Sequence, residues 1–246
     1  MKSISANLSI MIKAAEKASK TLIRDFGEIE KLQVSIKGPY DFVSSADKKA
    51  EKTIIQELLK SKKKYSILTE ESGKIINSDT NNMWIIDPID GTTNYLHGIP
   101  HFAISIALQS NNEIISGVIF DPIKNEMFYA EKDNGAYFNN QRIRVSKKKK
   151  IDHCLFATGG KEEIKNSINV RKSGSAALDM AYVAAGRYDG YFQHNLHLWD
   201  IAAGIILINE SGGKINEINF SQINGIKITA ASNIIYEKML ENLNNF

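Results

Sequence analysis

The sequence predicts a mixed α/β chain in which helices and sheets stack in layers, and three features carry that expectation. Apolar residues recur at helical spacing through the N-terminal quarter of the chain. Between Phe102 and Val145 they alternate at strand spacing, with turn signals at short intervals. Beyond Cys154, short apolar strand runs alternate with helical runs. Helix, meander and alternating β and α in that order call for helices packed on more than one sheet.

Taken in order, Leu8, Met11, Ile12, Ala15, Leu22 and Phe26 lie on one face of a long amphipathic first helix. Ala50, Ile54 and Leu58 mark a second helix over 46–61, with Ser44 and Asp47 near its start in a capping arrangement. Short strands are expected at 66–69 and 83–86. Phe102, Ile104, Ile106 and Leu108 then alternate with smaller residues before Ser110-Asn111-Asn112 turns the chain into a strand at 114–120. Turns at Asp121-Pro122 and Asp133-Asn134-Gly135 set off strands at 127–130 and 136–138, so an antiparallel meander of four or five strands is expected. In the second half the pattern predicts a strand at 154–158, a helix at 176–185 ended by Gly186, and a strand at 190–193. A helix at 199–210 closed by Gly212-Gly213, strands at 214–218 and 226–230, and a last helix at 234–243 complete the chain. The lysine run 147–150 falls between the halves, 1–148 and 149–246. With no repeat or low-complexity linker, the halves are expected to share one interface and form one unit.

Composition bounds the function classes. The chain has 246 residues, 43% hydrophobic and 24% charged, which is ordinary for a globular protein with a sizeable core. A net charge of +3 supplies no bulk field for nucleic acid or a membrane surface. The lone Cys154 makes no intrachain disulfide, and no apolar run approaches membrane-spanning length, so a cytoplasmic location is expected.

The acids are the informative residues. Glu70 and Glu71 end the strand SILTEES, Asp87 ends WII, and Asp90 follows three residues later. Asp47 sits in the first turn of the second helix and Asp200 at the start of a later one. Each has a plainer reading: Asp47 and Asp200 as helix caps, Glu70-Glu71 as solvated turn residues, Asp87-Pro88 as a turn opener. Together they form a set of hard oxygen ligands of the type Mg²⁺ prefers, and no Cys/His set competes. Within DPIDGTT, Pro88 holds Asp87 extended, so the chain is expected to leave the strand there and turn. Gly91 permits close backbone approach, and Thr92 can open a helix or turn whose free N–H groups bind phosphate oxygens. Carboxylates beside a phosphate cradle repel one another unless cations lie between them, which points to a metal-assisted phosphate-ester site.

The chain resembles the inositol monophosphatase family of Mg²⁺-dependent, lithium-sensitive sugar phosphatases. WIIDPIDGTTNYLHGIPHFAISIAL and WDIAAGIILINESGG resemble its two signatures, and DFVSSADKKAE, ILTEESG, GVIFDP and GSAALDMAYVAAGRYDGYF resemble the family in order and spacing. The resemblance implies a layered αβαβα sandwich, an α+β half and an α/β half meeting at the site, and a homodimer. It implies that Glu70, Asp87 and the Ile89 carbonyl hold one metal, that Asp87, Asp90 and Asp200 hold a second, and that Asp47 lies near a third, weaker site. By the same resemblance, Gly91 and Thr92 offer amides to the phosphate. Glu70 and the Thr92 hydroxyl, tied to Asp47, orient and help deprotonate the attacking water. Gly174, Ser175, Ala176 and Gln193 face the alcohol part of the substrate. The implied reaction is direct in-line hydrolysis of a small phosphorylated sugar or polyol, with two or three Mg²⁺ ions and no phosphoenzyme.

Two departures stand out. Many members carry glutamate where this chain has Gln193, which keeps an acceptor oxygen but loses the charge. Between FATGG and RKSGSAA the family usually has another helix and strand, and here only KEEIKNSINV remains. That shortened 160–171 segment bears on dimerisation and substrate choice. A haloacid dehalogenase-like reading fails on spacing, because its two aspartates lie two residues apart and Asp87 and Asp90 lie three apart. Fructose 1,6-bisphosphate, histidinol phosphate, NADP and 3′-phosphoadenosine phosphate remain alternative substrates. A role in RNA metabolism through the transcription machinery is the alternative of a different class, with the lysine-rich stretches 60–64 and 147–150 as the only footprint for an acidic partner.

Overall fold

The computed structural model describes residues 4–28, 34–36, 42–160 and 168–243. Helix α1 (Ala6–Phe26) opens where the Ser5 side chain accepts the Leu8 N–H at 3.1 Å, and it buries Leu8, Met11, Ala14, Ala15, Ala18 and Leu22. Strands β1 (Val34–Ile36) and β2 (Phe42–Ser44) pair antiparallel and lead into α2 (Ser45–Ser61). Small residues on both facing stripes let α1 and α2 pack closely. Glu57 of α2 draws Lys17 at 3.0 Å and Lys13 at 3.1 Å across from α1, and Lys60 at 2.9 Å from its own helix.

These two helices cover one face of an eight-stranded sheet ordered β10-β9-β8-β7-β6-β5-β3-β4. Its strands are β3 (Tyr65–Thr69), β4 (Gly73–Ile75), β5 (Asp79–Asp90), β6 (Ala103–Ser110), β7 (Glu113–Asp121), β8 (Glu126–Glu131), β9 (Gly135–Phe138) and β10 (Gln141–Arg142). The expected meander is β6 to β10, antiparallel throughout, while β3 and β5 run parallel. Strand alternation sorts side chains between layers: Ile67, Trp84 and Ile86 join the α1/α2 core, while Leu68 and Ile85 join the core on the opposite face.

That opposite face packs on α4 (Ala176–Ala184) and α5 (Leu198–Ser211). Approach is tight at Gly117 of β7, where a Cβ would stand 2.6 Å from Ile206 and 2.8 Å from the Ala203 carbonyl. Beyond them lies a five-stranded sheet ordered β12-β11-β13-β15-β14, formed by β11 (Leu155–Ala157), β12 (Asn169–Arg171), β13 (Gly190–Leu196), β14 (Gly213–Ile215) and β15 (Ile226–Ser232). Tyr191 and Ala230 point into the α4/α5 core, and Phe192 and Ala231 point outward onto α6 (Tyr236–Asn242). The layers therefore run helix, sheet, helix, sheet, helix, as the resemblance implies.

The differences are local. The strand expected at 83–86 extends to Asp79–Asp90, so Pro88 lies inside β5 and the turn comes only at Gly91. A bulge opposite β6, between Asp87 and Asp90, accommodates the missing proline N–H. Strands β4 and β12 were not expected; each is a three-residue edge strand. Strand β12 shows that the shortened segment still supplies an edge strand, although 161–167 lie outside the described residues. Helix α6 starts at Tyr236 rather than at 234, because a turn bond from Ile235 N–H to the Ser232 carbonyl precedes it. Lys148 of the 147–150 run is not simply solvated: it donates to the buried Asp189 at 2.8 Å.

Candidate active site

The site forms where β3 ends beside the bulged last residues of β5. Their register pairs Thr69 with Ile86, so Glu70, just past the end of β3, and Asp87, within β5, are the next residues along neighbouring chains. Asp87 lies opposite Ser105 of β6, and the Ser105 hydroxyl donates to the Trp199 carbonyl at 3.3 Å. That bond ties the sheet to the first turn of α5, where Asp200 accepts the His197 N–H at 2.7 Å in a capping box. Asp200 is thus both the helix cap that its position suggests and a member of the acid cluster. One carboxylate oxygen from each of Asp87, Asp90 and Asp200 lies within 4.8 Å of the others.

Asp87 is 2% exposed and Asp90 7% exposed, so both titrate far from water. Burial holds the Asp87 carboxyl well above the usual carboxylate range, and the charges of Glu70, Asp90, Asp200 and Asp47 push it further. Burial and then Asp200 push Asp90 up to about 7, opposed by hydrogen bonds from the Ser175 hydroxyl and the backbone of Ala177 and Ala176. Buried acids that raise one another in this way need protons or a cation. An all-oxygen set without sulfur or imidazole fits Mg²⁺.

Around the acids the backbone is closely constrained. The Asp87 carboxylate accepts the Ile89 N–H at 3.0 Å across Pro88. Gly91 caps α3 (Thr92–Leu96) at φ +96°, and a Cβ there would meet the Gly174 carbonyl at 3.1 Å and the His101 carbonyl at 3.2 Å. Only glycine fits comfortably, and the first-turn N–H groups of α3 have no acceptor within the helix. The Thr92 hydroxyl, expected to be tied to Asp47, donates instead to the Ile89 carbonyl at 2.9 Å, an acceptor three residues back in its own turn.

The residues expected at the alcohol end are largely committed within the protein. Ser175 is buried, and its hydroxyl donates to Asp90 beside the Ala177 N–H, which donates to the same oxygen at 2.8 Å. Ala176 adds its backbone to that contact, while Gly174 is exposed at φ +86°. The Gln193 amide oxygen accepts the Gly159 N–H at 2.8 Å and the Tyr191 hydroxyl at 2.7 Å. Both lone pairs of that oxygen are taken, so Gln193 has its NH₂ left to offer.

Sequence reasoning missed two supports. Asn94 donates from one amide to the carbonyls of His101 and Ser173, both at 2.8 Å, stapling the Gly91 turn to the loop before α4. Buried Asp179 accepts the Ser173 hydroxyl at 2.7 Å and fixes the same loop. The only hint in the sequence is an asparagine directly after GTT.

A profile of the inositol monophosphatase family matches residues 5–245. The chain belongs to this family. It is 47% identical over 224 residues to an inositol-1-monophosphatase of Rhizobium meliloti, covering 85% of this chain and 84% of that one. It is 41% identical to a Nus factor SuhB of Xylella fastidiosa, covering 85% and 80%. Among solved structures, the extragenic suppressor protein suhB of Bartonella henselae superposes with a TM-score of 0.90 at 43% identity, over 96% of this chain and 98% of that one. Family membership accounts for the five-layer architecture and for a phosphatase reading of the acid cluster. Among the described residues, no helix is long and apolar enough to cross a membrane.

Proposed function

We propose that the protein is a Mg²⁺-dependent, lithium-sensitive phosphomonoesterase whose first substrate is myo-inositol monophosphate. The observation that carries this reading is the convergence of Asp87, Asp90 and Asp200 at the ends of β5 and α5, beside the glycine turn that opens α3. Glu70, Asp87 and the Ile89 carbonyl would hold one ion, Asp87, Asp90 and Asp200 a second, and Asp47 would lie near a third. Bound there, Mg²⁺ supplies cationic charge and Lewis acidity to the phosphate and the attacking water. Gly91 and Thr92 would hold the phosphate through backbone N–H groups. Glu70 and the Thr92 hydroxyl would orient a water in line with the ester oxygen, and Glu70 would take its proton. Positioning and fixed charge then supply most of the rate gain. Gly174, Ser175, Ala176 and Gln193 would border the alcohol. The reading includes a cytoplasmic homodimer.

A panel measuring phosphate release from inositol phosphate, fructose 1,6-bisphosphate, histidinol phosphate, NADP and 3′-phosphoadenosine phosphate, with Mg²⁺ and with or without Li⁺, tests this reading. Activity that survives chelation or Asp87→Asn defeats it. The likeness to a chain named Nus factor SuhB supports a second role, in RNA metabolism with a transcription-machinery partner. Retention of RNA polymerase on the purified protein, including its Asp87→Asn variant, is the outcome that role requires.

A further inference from the structure

Glu51 lies one helical turn after Asp47 on α2, buried at 4% exposure. Its carboxylate takes no part in the acid cluster. Four bonds reach it from the chain on either side of Glu70. The Thr69 hydroxyl donates to Oε2 at 2.7 Å, the Glu71 N–H at 3.0 Å and the Ser72 N–H at 3.3 Å, while the Ser72 hydroxyl donates to Oε1. All four donors are neutral: two belong to Thr69 and Glu71, which flank Glu70, and two to Ser72.

We infer that Glu51 is a positioning residue that locks the 69–72 turn onto α2 and so sets the place of Glu70 relative to Asp47 and Asp87. Asp47 and Glu51 are four residues apart and lie on the same side of α2, so the carboxylate that grips the turn and the one expected near the metals move as one body. A buried acceptor with several amide and hydroxyl donors permits little rotation of the turn, since any rotation leaves buried donors unmade. Supports of this kind fix the direction of a ligand oxygen without touching the ion. The inference rests on Glu70 being a metal ligand, as proposed above.

The variants that separate position from charge are Glu51→Ala and Glu51→Gln. Glutamine keeps one oxygen for the Thr69, Glu71 and Ser72 donors and turns its NH₂ toward the Ser72 hydroxyl oxygen, which can accept. Binding of Mn²⁺ to the purified protein, read from the free-ion electron paramagnetic resonance signal without substrate, is the measurement. Glu51→Ala is expected to weaken Mn²⁺ binding by about 10–100-fold, as loss of a ligand-orienting partner does. Glu51→Gln is expected to stay within about threefold of wild type because the acceptor oxygen remains. Equal damage from both substitutions, or wild-type affinity in Glu51→Ala, overturns the inference. Should Glu51→Ala fail to fold by circular dichroism, Thr69→Val combined with Ser72→Ala keeps Glu51 and removes both hydroxyl donors. Mn²⁺ binding weakened several-fold in that double variant supports the inference, and unchanged binding overturns it. A wild type that binds Mn²⁺ but releases phosphate from nothing would instead count against the proposed activity.

Discussion

Replacing Asp90 by asparagine should make the metal-free protein more stable at alkaline pH while weakening its response to Mg²⁺. Asp90 is 7% exposed and its carboxyl is pushed from 3.8 up to about 7, first by burial and then by Asp200. The folded chain therefore binds this proton more tightly than the unfolded chain does. The resulting stabilisation is complete below about pH 4 and is lost as pH rises through about 7. A carboxyl carried from 3.8 to about 7 costs at most about 4 kcal/mol when ionised in the folded chain, at about 1.36 kcal/mol per pH unit. Asparagine never ionises, and its Oδ1 can still accept the Ser175 hydroxyl and the Ala177 N–H. For a chain of this size about 1 kcal/mol moves Tm by about 2–4 °C, so a gain of several degrees is expected at pH 8 with chelator present. At pH 5, where wild-type Asp90 holds its proton, the two chains should melt much closer together. Comparing variant with wild type at each pH cancels the groups that do not feel Asp90, while Asp87, which the Asp90 charge pushes up, is relieved in the variant and adds to the gain at pH 8. Added Mg²⁺ should raise the wild-type Tm by more than the variant's, since Asp90 serves only the ion proposed between Asp87, Asp90 and Asp200. A variant less stable than wild type at pH 8 without metal, or a Tm gap that does not narrow toward pH 5, refutes the reasoning.

Three other outcomes are expected. Asp87→Asn, which removes a carboxylate shared by both proposed metal positions, should lower phosphate release by more than about 100-fold at any Mg²⁺ concentration, beyond the effect of losing a supporting partner. Gln193→Glu keeps an oxygen for Gly159 and Tyr191 and adds a second, charged acceptor, so turnover of inositol phosphate should rise selectively across the substrate panel; an equal change on every substrate would place residue 193 away from the sugar. Asn94→Ala leaves the His101 and Ser173 carbonyls without their donor, and urea unfolding should report a loss of about 2 kcal/mol, at about 1 kcal/mol per bond, together with a raised KM.

Much of the architecture was legible because its signals are local. Helix α1 announces itself through Leu8, Met11, Ala15 and Leu22, whose spacing places them on one face whatever they pack against. The meander is readable from alternation and from asparagine-rich turns, where Asn111, Asn112 and Asp133 adopt positive φ. Strands β4 and β12 were not legible, since three residues at a sheet edge carry no measurable period. The end of β5 was misplaced for a related reason: Pro88 argues for leaving a strand, and only a bulge against β6 shows that the ladder continues past it.

At the site the division is similar. The DPIDGTT segment declares its chemistry by itself, because two carboxylates, a proline and a glycine within seven residues constrain one another along the chain. Asp200 and Glu70 are readable as acids at element ends, but their meeting with Asp87 depends on the β3–β5 register and on the Ser105 bond to α5. The raised carboxyls of Asp87 and Asp90 exist only once the layers close over them, since burial is the largest cause of both shifts. Whether the Gln193 oxygen stays available was also decided in three dimensions, by an N–H from Gly159, 34 residues away. The sequence by itself determined which groups the chain brings to the site. Their protonation and their partners, set by burial and contacts distant along the chain, were decided by the tertiary structure alone.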